Sequence, residues 1–177
     1  MKSPLYRAFG GAVREKLVWD FTLGLGFDAF ECARMGARVV AWERSPQVFQ
    51  KWKDAVARAQ SEPKLSQVLG RIEGRLGDAR EAWKAEAVTP DFVVLDPMFP
   101  EAKNQTQRRR KEMEFLRSVV GDDLDAEALL GAALATGASR VLVKRPLRAP
   151  ELASPNGLPP THSVSGKSHR FDIWQPR

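Results

Sequence analysis

The stretch Leu17-Val-Trp-Asp20-Phe-Thr-Leu-Gly24-Leu-Gly26-Phe-Asp28-Ala29 decides the fold. A short apolar run ends in an acid, passes through a glycine-rich turn, and opens a segment with helical spacing. That order describes a β-strand feeding a helix through a turn where backbone can approach a ligand closely, because glycine puts no side chain in the way. Working outward, further strands are expected at Leu17–Phe21, Arg38–Trp42, Arg71–Leu76, Phe92–Asp96 and Arg140–Lys144. Several are apolar on both faces, as expected for strands covered by helices on each side. Between them, helical patterns run over Phe27–Met35, Pro46–Gln60 and Ala79–Ala87, with one or two more from about Gln107 to Ala135. Ser45 and Pro46 suit an N-cap and a first helical turn, and Gly36 and Gly137 suit helix C-termini. Alternating strands and helices specify an α/β fold with a parallel sheet.

Beyond Lys144 the pattern changes. Five prolines between Pro146 and Pro160 forbid regular structure there, so an ordered loop is expected. His162–Ser165 and His169–Trp174 flank Gly166-Lys167-Ser168 and read as an antiparallel hairpin closing the sheet. The chain of 177 residues is expected to form one domain, 1–177, with no internal repeat. Its 28 Lys and Arg exceed 22 Asp and Glu by six, which favours an anionic partner, of which nucleic acid is the commonest. One cysteine, Cys32, excludes an internal disulfide and a cysteine-rich zinc site, and no metal ligand set is expected. No apolar run approaches the ~18 residues of a membrane span, and the first twenty residues do not form a signal peptide, so a soluble cytoplasmic protein is expected.

Chemistry concentrates where strands end. Gly24-x-Gly26-x-x-Ala29 also fits the dinucleotide fingerprint, which leaves a nicotinamide cofactor open. Asp20 and Asp28, however, flank the turn with negative charge, where a pyrophosphate would be repelled. The sulfonium and ammonium of S-adenosylmethionine suit that surround. Glu43, ending the second strand, can accept both ribose hydroxyls, and Asp78 after the third can reach the adenine edge. Acids capping ordinary helices explain such residues too, Asp78 most of all.

The fourth strand ends Val94-Leu95-Asp96-Pro97-Met98-Phe99-Pro100. An exocyclic base amine is a poor nucleophile because its lone pair is delocalised into the ring. Asp96 and the Pro97 carbonyl accepting its two N–H bonds would localise that lone pair and stabilise the charge that develops. Phe99 can stack on the extruded base. A strand followed by a proline-rich turn is the plain alternative.

Several segments then carry a resemblance. Leu5–Gly10, Asp20-x-Thr22-x-Gly-Leu-Gly-x-Asp-Ala-Phe30, Glu43-Arg44-x-Pro46 and Leu95–Pro100 occur in this order. Lys111–Met113, Val120–Asp125, Val143–Pro146 and His169–Ile173 follow. Together they resemble the bacterial 16S rRNA guanine-N2 methyltransferases of the RsmJ type. The resemblance implies a class I, Rossmann-like S-adenosylmethionine methyltransferase fold, with a mostly parallel seven-stranded sheet ending in an antiparallel hairpin. It implies S-adenosylmethionine as donor and a guanosine of small-subunit ribosomal RNA, free or in the small ribosomal subunit, as acceptor. Cofactor contacts carried over by position are Phe27, Asp28, Glu43, Arg44, Gly77, Asp78 and Asp96, beside Asp20, Gly24 and Gly26. The chain departs from the family at Phe21, Leu23, Phe27 and Gly77-Asp78, and family members carry a further N-terminal region.

Basic residues are expected to grip RNA phosphates around the site: Arg108, Arg109, Arg110 and Lys111, then Lys144 and Arg145, then Lys167, His169 and Arg170. A solvated helix face would explain the first run equally. Rival readings are transfer to another RNA or DNA amine or to a small aromatic amine, a non-catalytic RNA-binding module, and a nicotinamide-binding protein.

Overall fold

The computed structural model describes residues 3–11, 13–97 and 126–175. The Phe99 and Arg108–Lys111 expectations therefore lie outside the described residues. Seven strands form one sheet in the order β3-β2-β1-β4-β5-β7-β6. They are β1 (Leu17–Asp20), β2 (Arg38–Glu43), β3 (Ile72–Leu76), β4 (Phe92–Leu95), β5 (Arg140–Pro146), β6 (His162–Ser165) and β7 (His169–Trp174). The first five are mutually parallel, while β7 runs antiparallel to both β5 and β6. Chain order reverses between β1 and β4, and ligands of open α/β sheets bind outside the carboxyl ends of strands at such a switch point.

Side chains alternate across the sheet as the pleat requires. Phe92 and Val94 of β4 join Val18, Val39, Ala41 and Leu142 in a core on one face. Val93 and Leu95 join Trp19, Trp42, Val141 and Val143 in a core on the other. The first face is covered by α1 (Pro4–Ala8), α2 (Phe27–Arg34) and α3 (Pro46–Ala59), and Cys32 of α2 is one of its buried residues. The short α4 (Pro63–Leu69) packs beside them through Val68. The second face is covered by α5 (Ala79–Ala82) and α6 (Ala126–Leu134). No helix among the described residues is long and apolar enough to cross a membrane.

Two helices depart from the sequence expectation by their presence. Ser3 accepts from the Tyr6 amide to cap α1, and α4 starts at Pro63 and runs only 7 residues with none fully buried, so its apolar positions Leu65, Val68 and Leu69 make only a short signal. The helix expected over Ala79–Ala87 stops at Ala82 and tightens into a 3₁₀ turn, Trp83–Ala85. β-Branched Val88 and Thr89 before Pro90 lie ahead of it, and neither they nor a proline favour helix.

Trp52 of α3 explains two glycines. A Cβ on Gly26, which has φ +83°, would stand 2.7 Å from the indole, and one on Gly74 of β3 would stand 2.3 Å from it. Both positions therefore need glycine, and the indole fixes the glycine turn against β3.

The proline-rich loop after β5 is held by side chains. Arg170 donates to the carbonyls of Pro146, Leu147 and Ala149 and to the Asp172 carboxylate. Asp172 is fully buried and also accepts from the Ser163 hydroxyl at 2.6 Å. The bond to Asp172 holds the Arg170 guanidinium above its ordinary pKa. Arg145 is buried too, and its guanidinium donates to the Pro150 carbonyl. These two arginines, expected on an RNA-gripping rim, hold the loop through these bonds. Replacing Arg170 by Met would strand the Asp172 charge, so Arg170→Met is expected to cost about 3 kcal/mol in chemical denaturation. A loss below about 0.5 kcal/mol, the scale of an ordinary surface change, would contradict that role.

Candidate active site

The carboxyl ends of β2, β1, β4 and β5 lie side by side along one edge of the sheet. Asp20 closes β1 and is buried; its Oδ1 accepts from the Thr22 amide at 2.9 Å and the Thr22 hydroxyl at 3.3 Å. The Thr22 hydroxyl in turn accepts from the Asp96 amide at 2.7 Å. One side chain thus ties the first strand's exit to the fourth's. Thr22 was not singled out among the site residues, although a hydroxyl two residues past a strand-ending acid is a signal for an Asp-anchored turn. The other oxygen of Asp20, Oδ2, is buried with no hydrogen-bond partner among the described residues. Burial, with Asp28 and then Asp96 as like-charged neighbours, pushes the Asp20 carboxyl up to about 7.

Glu43 organises the glycine turn. Its Oε2 accepts from the Gly24 amide at 2.9 Å and its Oε1 from the Ser45 amide at 2.8 Å. Burial raises its pKa, and the two amides oppose that rise. A carboxylate offers about four lone-pair sites, and the Gly24, Ser45 and Arg44 amides take up part of them, which leaves some acceptor capacity for a ligand hydroxyl. Phe27, beside the turn, is 61% exposed, and Arg44 is exposed next to Glu43.

Asp78 is used locally. It caps α5 through the Arg80 amide at 3.0 Å and pairs with the Arg80 guanidinium, whose hydrogen bond lowers its pKa. Gly77 donates its amide to the Glu43 carbonyl at 2.9 Å, tying the exit of β3 to that of β2.

Lys144 stands at the centre rather than on a rim. Val143 pairs with Leu95 across β5 and β4, so the next residue of each strand, Lys144 and Asp96, fall side by side. The Lys144 ammonium donates to Asp96 Oδ2 at 2.8 Å, and to Asp28 Oδ2 and Oδ1 at 2.8 and 3.1 Å. Its side chain is 16% exposed and that of Asp28 15%, against 43% for Asp96. Burial disfavours the ammonium, but attraction from Asp96 and Asp28 outweighs it and raises its pKa. Pro97 is buried behind Asp96. His169 and Lys167 lie at the same sheet edge, because His169 pairs with Pro146 in the antiparallel register, and Lys167 is exposed. Among the described residues, no cluster of three or more His, Cys, Asp or Glu is arranged to hold a metal.

The arrangement is an acidic crevice at the switch point, backed by a glycine turn whose amides are held by Glu43. A family model described as "Putative SAM-dependent methyltransferase" matches residues 2–176, and the chain belongs to that family. Among relatives, the chain is 42% identical over 160 residues to the ribosomal RNA small subunit methyltransferase J of Pseudomonas paraeruginosa, covering 89% of this chain and 59% of that protein. It is 41% identical over 174 residues to the protein of the same name from Thioalkalivibrio sulfidiphilus, covering 97% and 67%. The chain thus spans about three-fifths to two-thirds of those relatives' length. The crystal structure of a SAM-dependent methyltransferase from Neisseria gonorrhoeae superposes with a TM-score of 0.77 at 33% identity, over 98% of this chain and 71% of that one. An RNA methyltransferase from Salinibacter ruber shares the fold at 19% identity and a TM-score of 0.51, over 99% and 92%.

The Asp20 carboxyl gives a direct expectation. Between pH 4 and 7 the folded state keeps a proton there that the unfolded chain has lost, so its contribution to stability declines as pH rises through that window. Its cost above pH 7 is about 4 kcal/mol. Asp20→Asn keeps an acceptor for Thr22 without the charge, so it is expected to gain on wild type steadily from pH 4 to 7 in denaturation curves. Parallel curves for the two proteins would contradict a buried, titrating Asp20.

Proposed function

We propose that the protein transfers a methyl group from S-adenosylmethionine to an exocyclic base amine of ribosomal RNA, the N2 of a guanosine in 16S rRNA. The observation that carries this reading is the buried Oδ2 of Asp20, without a hydrogen-bond partner among the described residues, beside Asp28 and Asp96. A crevice with that excess of carboxylate suits a cationic ligand and repels a pyrophosphate, which weighs against a nicotinamide dinucleotide. The names of the relatives supply the RNA class.

The residues present fit the donor. Glu43 would receive the ribose hydroxyls with the lone pairs its amide contacts leave over. The turn at Gly24 and Gly26 would pass beneath the methionine portion, and Asp20 and Asp28 would face its positive groups. Phe27 and Arg44 would flank the adenosine. Asp78, already engaged by Arg80, would meet the adenine edge only with the oxygen surface that pairing leaves. When bound, S-adenosylmethionine supplies a methyl carbon activated by positively charged sulfur.

Asp96 and the Pro97 carbonyl would accept the two N–H bonds of the acceptor amine and draw its lone pair out of the ring. With the lone pair so localised, the amine would be poised to take the methyl group the donor would supply, the sulfur would keep the electron pair of the broken C–S bond, and the methylated nitrogen would lose its proton to solvent. Phe99 would stack on the extruded base. Arg108, Arg109, Arg110, Lys111, Lys167 and His169 would contact RNA phosphates, or the same RNA within the small ribosomal subunit.

The test is incubation of unmodified small-subunit RNA, and separately of small subunits and DNA, with protein and S-adenosylmethionine, followed by mass spectrometric mapping. N2-methylguanosine in the RNA is expected, and Asp96→Ala is expected to lower the rate by about 100-fold or more. Methylation confined to DNA, or an unaffected Asp96→Ala, would overturn the reading. Calorimetry adds a pH dependence. A cation beside Asp20 favours its ionised form, so donor affinity is expected to rise as pH passes through 7, with proton release on binding. Affinity flat between pH 6 and 8 would speak against donor contact with Asp20.

A further inference from the structure

Lys144 has three features that an RNA-gripping lysine lacks. Its backbone is fixed inside β5, which is paired on both sides by β4 and β7. Its ammonium contacts two carboxylates from different elements, Asp28 of α2 and Asp96 beyond β4. Its side chain is mostly buried, so a phosphate would have to break both contacts to reach it. We propose that Lys144 is a positioning residue for methyl transfer: tethered by Asp28, its ammonium holds the Asp96 carboxylate in the orientation that receives the acceptor amine. This role rests on the methyltransferase reading above.

The need for such a clamp follows from the surroundings. Asp96 is 43% exposed at a strand end, so its side chain has rotational freedom that positioning must remove. Among the described residues, the charged groups facing it are Asp20 at the end of β1, Asp28 in α2 and Lys144 in β5. Asp28, and Asp20 once it ionises, work against an ionised Asp96, and a protonated carboxyl would be a poor acceptor for an N–H bond. Lys144 is the group that offsets them. An ammonium carries three donors and no acceptor, so it can bridge Asp28 and Asp96 without competing for the amine's hydrogens. Contact with Asp96 Oδ2 leaves the carboxylate acceptor capacity for the substrate, and the Asp28 contacts stop the lysine from following the substrate out. The Thr22 hydroxyl, holding the Asp96 backbone amide, fixes the other end of the same residue.

The experiment compares wild type, Lys144→Met, Lys144→Arg and Asp28→Asn in two measurements. The first is the titration of the Asp96 carboxyl by carbon-detected NMR in the ligand-free full chain. Lys144→Met is expected to move its midpoint upward by about one pH unit or more, with Lys144→Arg near wild type. The second is methyl transfer to small-subunit RNA across pH. Lys144→Met is expected to lower kcat tenfold or more, with the acidic limb of the profile moved to higher pH and KM for the donor within about threefold. Lys144→Arg is expected to restore part of the rate, and Asp28→Asn to show a weaker form of the same defect. Melting curves confirm that each variant is folded. An unmoved Asp96 midpoint in Lys144→Met would overturn the clamp. So would an unchanged kcat with a raised KM for RNA, the signature of a phosphate contact. A wild-type chain that transfers no methyl group would defeat the functional reading and this role with it, and the titration would show separately whether the ionic contact exists.

Discussion

Two carboxylates, Asp28 and Asp96, share one ammonium at the carboxyl edge of the sheet with the buried Asp20 beside them, and the geometry of the site depends on that balance. Asp20, Asp28 and Asp96 come from a strand end, a helix start and another strand end, so only the assembled fold brings them together. Left alone they would repel one another, and Asp20 already holds its proton to about pH 7 as a result of burial and its neighbours. Lys144 supplies the compensating charge from β5. The site therefore joins the four central elements electrostatically as well as through the sheet. It retains a residual negative bias, which is what a ligand carrying positive charge requires.

Much of this was legible in the sequence, because the physics that fixes it is local. Strands such as Phe92–Leu95 announce themselves through continuous apolar side chains, which only a sheet covered on both faces can bury. Asp20, Glu43 and Asp96 each stand at the end of such a strand, so the parallel topology puts them on one edge whatever the loops do. The hairpin's direction followed from its turn, and the register indeed brings His169 opposite Pro146. What could not be read lies in contacts between distant segments. Lys144, Arg145 and Arg170 look alike as surface cations in a row of basic residues. Only the pairing of β5 with β4 turns Lys144 toward Asp96, and only the fold of the proline-rich loop buries Arg145 and consumes Arg170. The helix at Pro63–Leu69 is hard to read for the converse reason: it is 7 residues long and its apolar side chains are only partly buried, so its pattern is brief.

The glycine turn shows the same division. Its flexibility is evident from composition, but the reason for Gly26 is an indole from another helix, and that indole also dictates Gly74 on β3. Glu43 then locks the turn by accepting the Gly24 amide, so the acid assigned to a ribose has a structural duty of its own. Replacing it would disturb the turn as well as any ligand contact. Asp78 illustrates the opposite balance, since its capping of α5 and its pairing with Arg80 account for its presence with no ligand at all. Among the described basic residues near the carboxyl edge, Lys167 and Arg148 face outward.

The most direct measurement of the central claim is a crystal structure of the full chain with S-adenosylhomocysteine or a cationic donor analogue. The account predicts adenosyl density over the glycine turn, ribose hydroxyls on Glu43, and the analogue's positive group beside Asp20, with Lys144 still spanning Asp28 and Asp96. Density for the ligand at any other sheet edge, or a site in which Asp20 stays sealed from it, would contradict the account.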